Sequence, residues 1–279
     1  QNFESDRADR PVLNKLIRAL CAEASPRYER ILDITSYLEE RHATLEPETV
    51  VSICVAFLKN DEQYEVMDTL SLHTIHFSPQ ERRLVCGAFV DYCLDTSNST
   101  ARVWDAYALI RQFFPDVDLE SRVRIMDAFF DRKRADMAAH VFGHMRQHSN
   151  AAYRPGIEVY VRFLEGIGRC PDEESLKLVH NMLKMDTTID PDTRLYNALM
   201  VAYTVCNDSS RALEYWKEIS RSREGPSFQT LEIVLRTYEV TPSGDEPATR
   251  LWEKMKKMDI DMHLPLYTAY AGAMAAHGH

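Results

Sequence analysis

The chain has 279 residues, of which 45% are apolar, and its formal net charge of -10 gives an isoelectric point near 5.5. A chain of this size can bury a sizeable core, and its negative charge opposes binding to nucleic-acid phosphates and to anionic lipid. Its nine glycines form no Gly-rich loop, and no apolar run approaches the roughly 20 residues of a membrane span. Composition therefore argues against phosphate-cradle and membrane-spanning proteins.

Pairs of helices are predicted along the whole chain. In the first helix of each pair a small residue precedes a large one, and these small-large pairs recur at intervals of 32 to 40 residues. A small residue lets two helices approach closely, and the bulky neighbour fills the groove beside it. Repeats of this length predict an all-α superhelix, a solenoid of about seven antiparallel helical hairpins and a final lone helix. The small-large pairs are Ala19-Leu20, Ala56-Phe57, Ala88-Phe89, Ala128-Phe129, Gly166-Ile167, Ala202-Tyr203, Thr237-Tyr238 and Ala273-Met274.

The repeats are less regular in the first part of the chain than in the second. Residues 1–117 are expected to form degenerate helical repeats, because loops such as 95–99 lengthen the spacing. Residues 118–279 are expected to form more regular repeats, continuous with the first part in one solenoid. Proline stands in most connectors between pairs, where it ends one helix or opens the next.

Residues 190–219 show the repeat most clearly. Asp190-Pro191-Asp192 precedes Leu195, Leu199 and Ala202 at helical spacing, which predicts a helix with a start signal. Residues 207–209 then supply turn and N-cap chemistry, and a second helix begins with Ala212 and Leu213 on its apolar face. Two such short helices need neighbours to bury their apolar faces. A lone helix is predicted at residues 264–276, and we expect it to be the first helix of a hairpin in a longer array.

These residues resemble the pentatricopeptide repeat, which joins a Pro-Asp turn, a Tyr-Asn opening and a second helix carrying Ala-Leu. The matching segments are Ile189-Asp190-Pro191-Asp192, Tyr196-Asn197-Ala198-Leu199-Met200 and Arg211-Ala212-Leu213-Glu214. Other units match more weakly, since Tyr160 and Tyr267 occupy the place of Tyr196. The resemblance is clear over about the last 160 residues and rests on the period alone elsewhere. It implies an organellar protein of a family that mostly binds RNA, reading one base per repeat.

The base-reading position of this family lies two residues after the tyrosine and usually holds Asn, Thr or Ser. In this chain the corresponding positions hold other residue types. Alanine and isoleucine have no hydrogen-bonding side-chain atom, so three consecutive units could not read a base edge. The five positions, which we expect to face the concave surface and contact a partner, are Arg124, Arg162, Ala198, Ile233 and Ala269.

The resemblance therefore implies a non-catalytic, protein-binding member of the family. Its expected partner is a protein client, an assembly intermediate of a mitochondrial respiratory complex such as complex I, and its expected location is the mitochondrial matrix. The alternative is an organellar RNA-binding protein that acts in transcript processing, stability or translation. We expect no direct membrane insertion, no cofactor and no metal.

Other candidate sites give weaker signals. His140, His144 and His148 lie at i, i+4 and i+8 on one predicted helix, but they have no evident further ligand, so a solvated or half-buried face is favoured over a metal site. The basic residues 132–134 are expected to be solvated and compensated by Asp131 and Asp136. The six cysteines form no C-x-x-C pair, which predicts reduced, buried thiols. No catalytic motif is present in the sequence.

Overall fold

The computed structural model describes the backbone of residues 5–23, 28–40 and 45–279, and the side chains of residues 11–23, 28–38 and 45–279. Over this described part the chain forms helices and no strand, as predicted. Short 3-10 turns occur at residues 74–76 and 151–153. The α-helices are α1 (Ser5–Cys21), α2 (Tyr28–Glu40), α3 (Pro47–Lys59), α4 (Gln63–His73), α5 (Pro79–Leu94), α6 (Thr100–Phe113), α7 (Leu119–Asp131), α8 (Ala135–Arg146), α9 (Ile157–Arg169), α10 (Glu173–Lys184), α11 (Thr193–Val205), α12 (Ser209–Arg221), α13 (Phe228–Glu239), α14 (Asp245–Lys257) and α15 (Leu264–Ala276).

The same backbone turn closes three of the helical hairpins. One residue in each turn has a positive φ, and the amide of the next residue donates to a carbonyl five residues earlier. That carbonyl belongs each time to the large member of a small-large pair, so the sequence period is also a structural period. The positive-φ residues are Asp61 (63°), Lys133 (60°) and Asn207 (60°). The bonds are Glu62 N to Phe57 O (3.0 Å), Arg134 N to Phe129 O (2.9 Å) and Asp208 N to Tyr203 O (2.9 Å).

Polar residues immediately before several helices cap the N-termini of those helices. At α5, the Ser78 hydroxyl accepts from the Glu81 amide at 3.4 Å and Glu81 Oε2 accepts from the Ser78 amide at 2.7 Å. The two bonds form a reciprocal capping box, and a proline occupies the first helical position between its two members. Asp192 caps α11 in the predicted manner, because its Oδ1 accepts from the Leu195 amide at 2.8 Å.

The chain divides into two compact units, residues 1–128 and 129–279. In the first unit, α1, α3 and α5 pack side by side, and α4 and α6 pack on the first helices of their own pairs. Arg82 links α5 to the 3-10 turn after α4 and to the end of α6. Its guanidinium donates to Thr74 O at 3.0 Å and to Phe113 O at 2.7 Å. The buried Arg122 binds the loop before α7 by donating to Val117 O at 3.0 Å.

In the second unit, α9, α11, α13 and α15 pack side by side as one layer, which we call the first-helix layer. Buried aromatic rings join α8 to α9, where Phe142 lies 4.8 Å from Tyr160 and 5.3 Å from Phe163 between ring centroids. Gly166 is the small member of its pair, and a Cβ at this position would overlap the ring of Phe130. The predicted role of the small residue, close approach of helices, is therefore met here.

Candidate functional site

The first-helix layer carries four of the five predicted contact residues. Arg162 lies on α9, Ala198 on α11, Ile233 on α13 and Ala269 on α15, 35 or 36 residues apart. Because these helices pack in order, the four residues occupy equivalent positions on adjacent helices. The fifth, Arg124, lies exposed on α7 in the first unit. We call the surface around the four residues of the second unit the first-helix surface.

The four positions differ in how far they reach solvent. The Arg162 side chain is exposed and Ile233 is half-buried, whereas Ala198 is only 8% exposed and Ala269 only 3%. The next residues along the same face, three positions on, are Glu165, Val201, Arg236 and Gly272. Of the three aliphatic positions on α11, α13 and α15, only Ile233 therefore presents appreciable side-chain area to solvent.

The charged groups on this surface compensate one another. Arg194 of α11 forms an ion pair with Glu158 of α9, and Arg236 pairs with Glu232 on α13 at 2.7 Å. Thr204 and Thr237 share a hydrogen bond of 2.9 Å between α11 and α13. At Ala198, Ile233 and Ala269 no side-chain donor or acceptor is present to bind a base edge. The surface suits apolar contact more than hydrogen-bonded reading.

The other predicted site candidates are explained by local contacts. Arg134 of the basic segment pairs with Asp136 at 2.7 Å, as expected, whereas Asp131 pairs with Arg169 of α9 at 3.5 Å, outside that segment. The His140 and His144 rings stack 6.5 Å apart on α8. Among the described residues, no three His, Cys, Asp or Glu side chains lie close enough to hold a metal ion.

The cysteines are unpaired thiols, and four of the six are buried, whereas Cys21 and Cys206 are half-buried. Burial raises the pKa of the Cys86 thiol to about 11, so this thiol is protonated and unreactive at neutral pH. Within the described part of the chain, no helix has the length and apolar character needed to cross a membrane.

The second unit also contains a buried polar cluster that the sequence analysis did not identify. His180 of α10 is 4% exposed, and its two ring nitrogens bind the hydroxyls of Tyr203 and, at 2.6 Å, Tyr215. A neutral imidazole offers one donor and one acceptor, so one hydroxyl accepts and the other donates. Burial, with the positive charges of Lys184 and Arg211 nearby, lowers the pKa of His180 to about 4. The cluster joins α10, α11 and α12.

A second buried group, Asp186, joins α8, α9 and the loop after α10. Its carboxylate accepts from the Tyr160 hydroxyl at 3.2 Å and the Thr188 hydroxyl at 2.6 Å, and it pairs with Arg146 at 3.2 Å. Burial opposes its ionisation, but the hydrogen bonds from Thr188 and the charge of Arg146 outweigh burial and lower its pKa below the ordinary value. The members of each cluster lie on different helices or loops, so no short sequence motif identifies either cluster.

The fold is that of a pentatricopeptide-repeat solenoid, although no family model matches the chain. Over 99% of its length the chain matches 38% of the pentatricopeptide repeat protein PPR10, solved in complex with an 18-nt psaJ RNA element, with a TM-score of 0.60. A triple cysteine-to-serine variant of PPR10 with the same RNA gives the same values. The sequence identity is 15%, so this likeness concerns the fold alone.

A much closer sequence relative is Complex I intermediate-associated protein 84, mitochondrial, from Neurospora crassa. The chain is 51% identical to it over a match 263 residues long that covers 91% of the chain. It spans 33% of the length of that relative. The resemblance to the pentatricopeptide repeat, predicted from the Tyr196-Asn197 segment, is thus confirmed for the fold, and the name of the relative agrees with the expected link to mitochondrial complex I.

Proposed function

We propose that this chain is a non-catalytic helical-repeat scaffold that binds a protein client during assembly of mitochondrial respiratory complex I. The observation that carries the proposal is the first-helix surface, where Ala198, Ile233 and Ala269 replace the polar residues a base reader needs. The name of the Neurospora relative supports the link to complex I intermediates and to mitochondria, with the matrix as the proposed compartment.

The partly exposed aliphatic side chain of Ile233 supports contact with another protein. Ala198 and Ala269 are small and almost fully covered by their neighbours, so the half-buried Ile233 is the aliphatic side chain of the three that a partner can reach. Arg162 lies exposed on α9, which packs beside α11 in the first-helix layer. Apolar contact centred on Ile233 gives the client its proposed position on the first-helix surface.

The test is capture of complex I subunits. Immobilised chain is incubated with detergent-solubilised Neurospora crassa mitochondria with and without ribonuclease, and bound proteins are quantified by mass spectrometry. We expect complex I subunits to be enriched about tenfold over a blank support in a ribonuclease-resistant manner, because the contact is with protein.

Two variants locate the contact. Ile233→Asp is expected to reduce enrichment to background, because it places a charge in an apolar contact. The control is Leu178→Asp on α10, where the side chain is 44% exposed and outside the first-helix layer, and it should retain wild-type capture. Absence of enrichment, its loss with ribonuclease, or equal capture by Ile233→Asp would contradict the proposal. Ribonuclease-sensitive capture would favour the RNA-binding alternative.

A further inference from the structure

The outward face of α4, in the first unit, exposes three large apolar side chains. Tyr64 is 81% exposed, Leu72 is 39% exposed, and Ile75, in the 3-10 turn that follows α4, is 70% exposed. With Asp68 they follow one another at i, i+4, i+8 and i+11, so they lie along one face. We call this face, with Glu65, the α4 outer face.

Packing within the first unit does not explain why these three apolar side chains are exposed. The opposite side of α4 holds Val66 and Leu70, both fully buried, and this side attaches the helix to the core. One exposed apolar residue is ordinary on a protein surface, but several along one helix face form a patch that indicates an interaction site.

The charge around the patch is negative. Glu65 and Asp68 lie on α4, Asp61 and Glu62 precede it, and α4 itself contains no lysine or arginine. The nearby Arg102 of α6 is committed to Asp61, with bonds of 2.7 and 2.9 Å to its two carboxylate oxygens. Glu65 and Asp68 therefore add their charge to an apolar face without compensation from the same helix.

The titration of neighbouring groups agrees with a negative local field. Burial and the charge of Asp61 raise the pKa of Asp105 on α6 above its ordinary value. Burial and the charges of Glu62 and Glu65 raise the pKa of Tyr28 on α2 in the same sense. The carboxylates that contribute to both shifts repel phosphate groups, so the charge of this face favours a cationic partner over RNA or anionic lipid.

We propose that the α4 outer face docks a basic amphipathic helix of a partner protein. Apolar side chains of the partner would cover Tyr64, Leu72 and Ile75, and its lysines or arginines would pair with Glu65 and Asp68. The exposed Tyr64 ring also offers its face to a cation. This inference does not rest on the proposed function, because it concerns a different surface and α4 lies outside the first-helix layer.

The experiment measures peptide binding by fluorescence anisotropy at near-physiological salt. The probe is a synthetic peptide of about 18 residues with leucine at i, i+3, i+4 and i+7 and lysine elsewhere. Its control has glutamate in place of every lysine. We expect the lysine peptide to bind with a dissociation constant of about 10 µM and the glutamate peptide to show no binding.

Two double variants and one control assign the binding to the α4 outer face. Tyr64→Ser/Ile75→Ser should weaken binding at least about tenfold, and Glu65→Gln/Asp68→Asn should weaken it about fivefold and flatten its salt dependence. Met185→Ser, at a 73% exposed apolar residue of the second unit, should leave binding unchanged. Circular dichroism verifies that all variants are folded. Equal binding of both peptides, or wild-type affinity in both double variants, would overturn the inference and leave the complex I proposal intact.

Discussion

The second unit is held together by close packing at Gly166 and by two buried polar side chains, His180 and Asp186. Gly166 was identified from its place in a small-large pair, and its contact with Phe130 explains why the position is small. His180 and Asp186 were not identified, because their partners lie on other helices and no spacing along the chain records them. A periodic pattern reveals core apolar positions, whereas buried hydrogen-bonded groups depend on tertiary contacts.

Gly166→Ala is expected to destabilise the chain by about 1–3 kcal/mol, because the added methyl group overlaps the Phe130 ring in a packed core. Urea unfolding followed by circular dichroism measures the change. The matched control is Gly87→Ala on α5, where nothing lies within 4 Å of the new methyl group. That change should stabilise by about 0.5–1 kcal/mol through helix propensity. Equal effects of the two substitutions would refute the close-approach role of Gly166.

Stability should fall on mild acidification because of His180. In the folded chain its pKa is about 4, whereas the ordinary value is 6.5. Between these values the unfolded state binds more protons, so stability is lost as pH falls from about 6.5 towards 4, by at most about 3 kcal/mol. The unfolding free energy measured between about pH 7 and pH 5 should depend less on pH in His180→Gln than in wild type. An unchanged slope in His180→Gln would contradict the assignment.

The helices themselves were well predicted from the sequence. α11 begins after its Asp192 cap, and α15 occupies Leu264–Ala276, as expected from proline and periodicity. The repeated left-handed turn was not predicted, because Asp61, Lys133 and Asn207 share no residue type, although aspartate and asparagine tolerate this conformation. What these residues share is position, because each lies four residues after the large member of a small-large pair. The turn thus follows from hairpin geometry more than from local composition.

Asn207→Val should destabilise the chain by about 1–2 kcal/mol, because a β-branched residue is strained at a φ of 60°. Thermal and urea unfolding measure the effect. Asn207→Gly, which adopts this φ freely, should equal or exceed wild-type stability. If valine and glycine gave the same stability, the α11–α12 turn would not require a left-handed residue.

At the level of the whole chain, the negative charge is unevenly distributed. Most of the net charge of -10 lies in residues 1–128, and residues 129–279 are close to neutral. The electrostatic argument against RNA therefore applies mainly to the first unit. In the second unit the argument depends on side-chain chemistry at Ala198, Ile233 and Ala269. The sequence composition alone suggests the charge argument. The packing of the helices is needed to place Ala198, Ile233 and Ala269 on one surface of the second unit.

Titration of the full chain with labelled, pooled mitochondrial RNA at near-physiological salt tests most directly whether the first-helix surface serves protein or transcript. We expect a dissociation constant weaker than about 10 µM, unchanged by Ile233→Asp, because only non-specific phosphate contact is available. Submicromolar affinity that falls steeply with added salt and is lost in Ile233→Asp would contradict the protein-binding function.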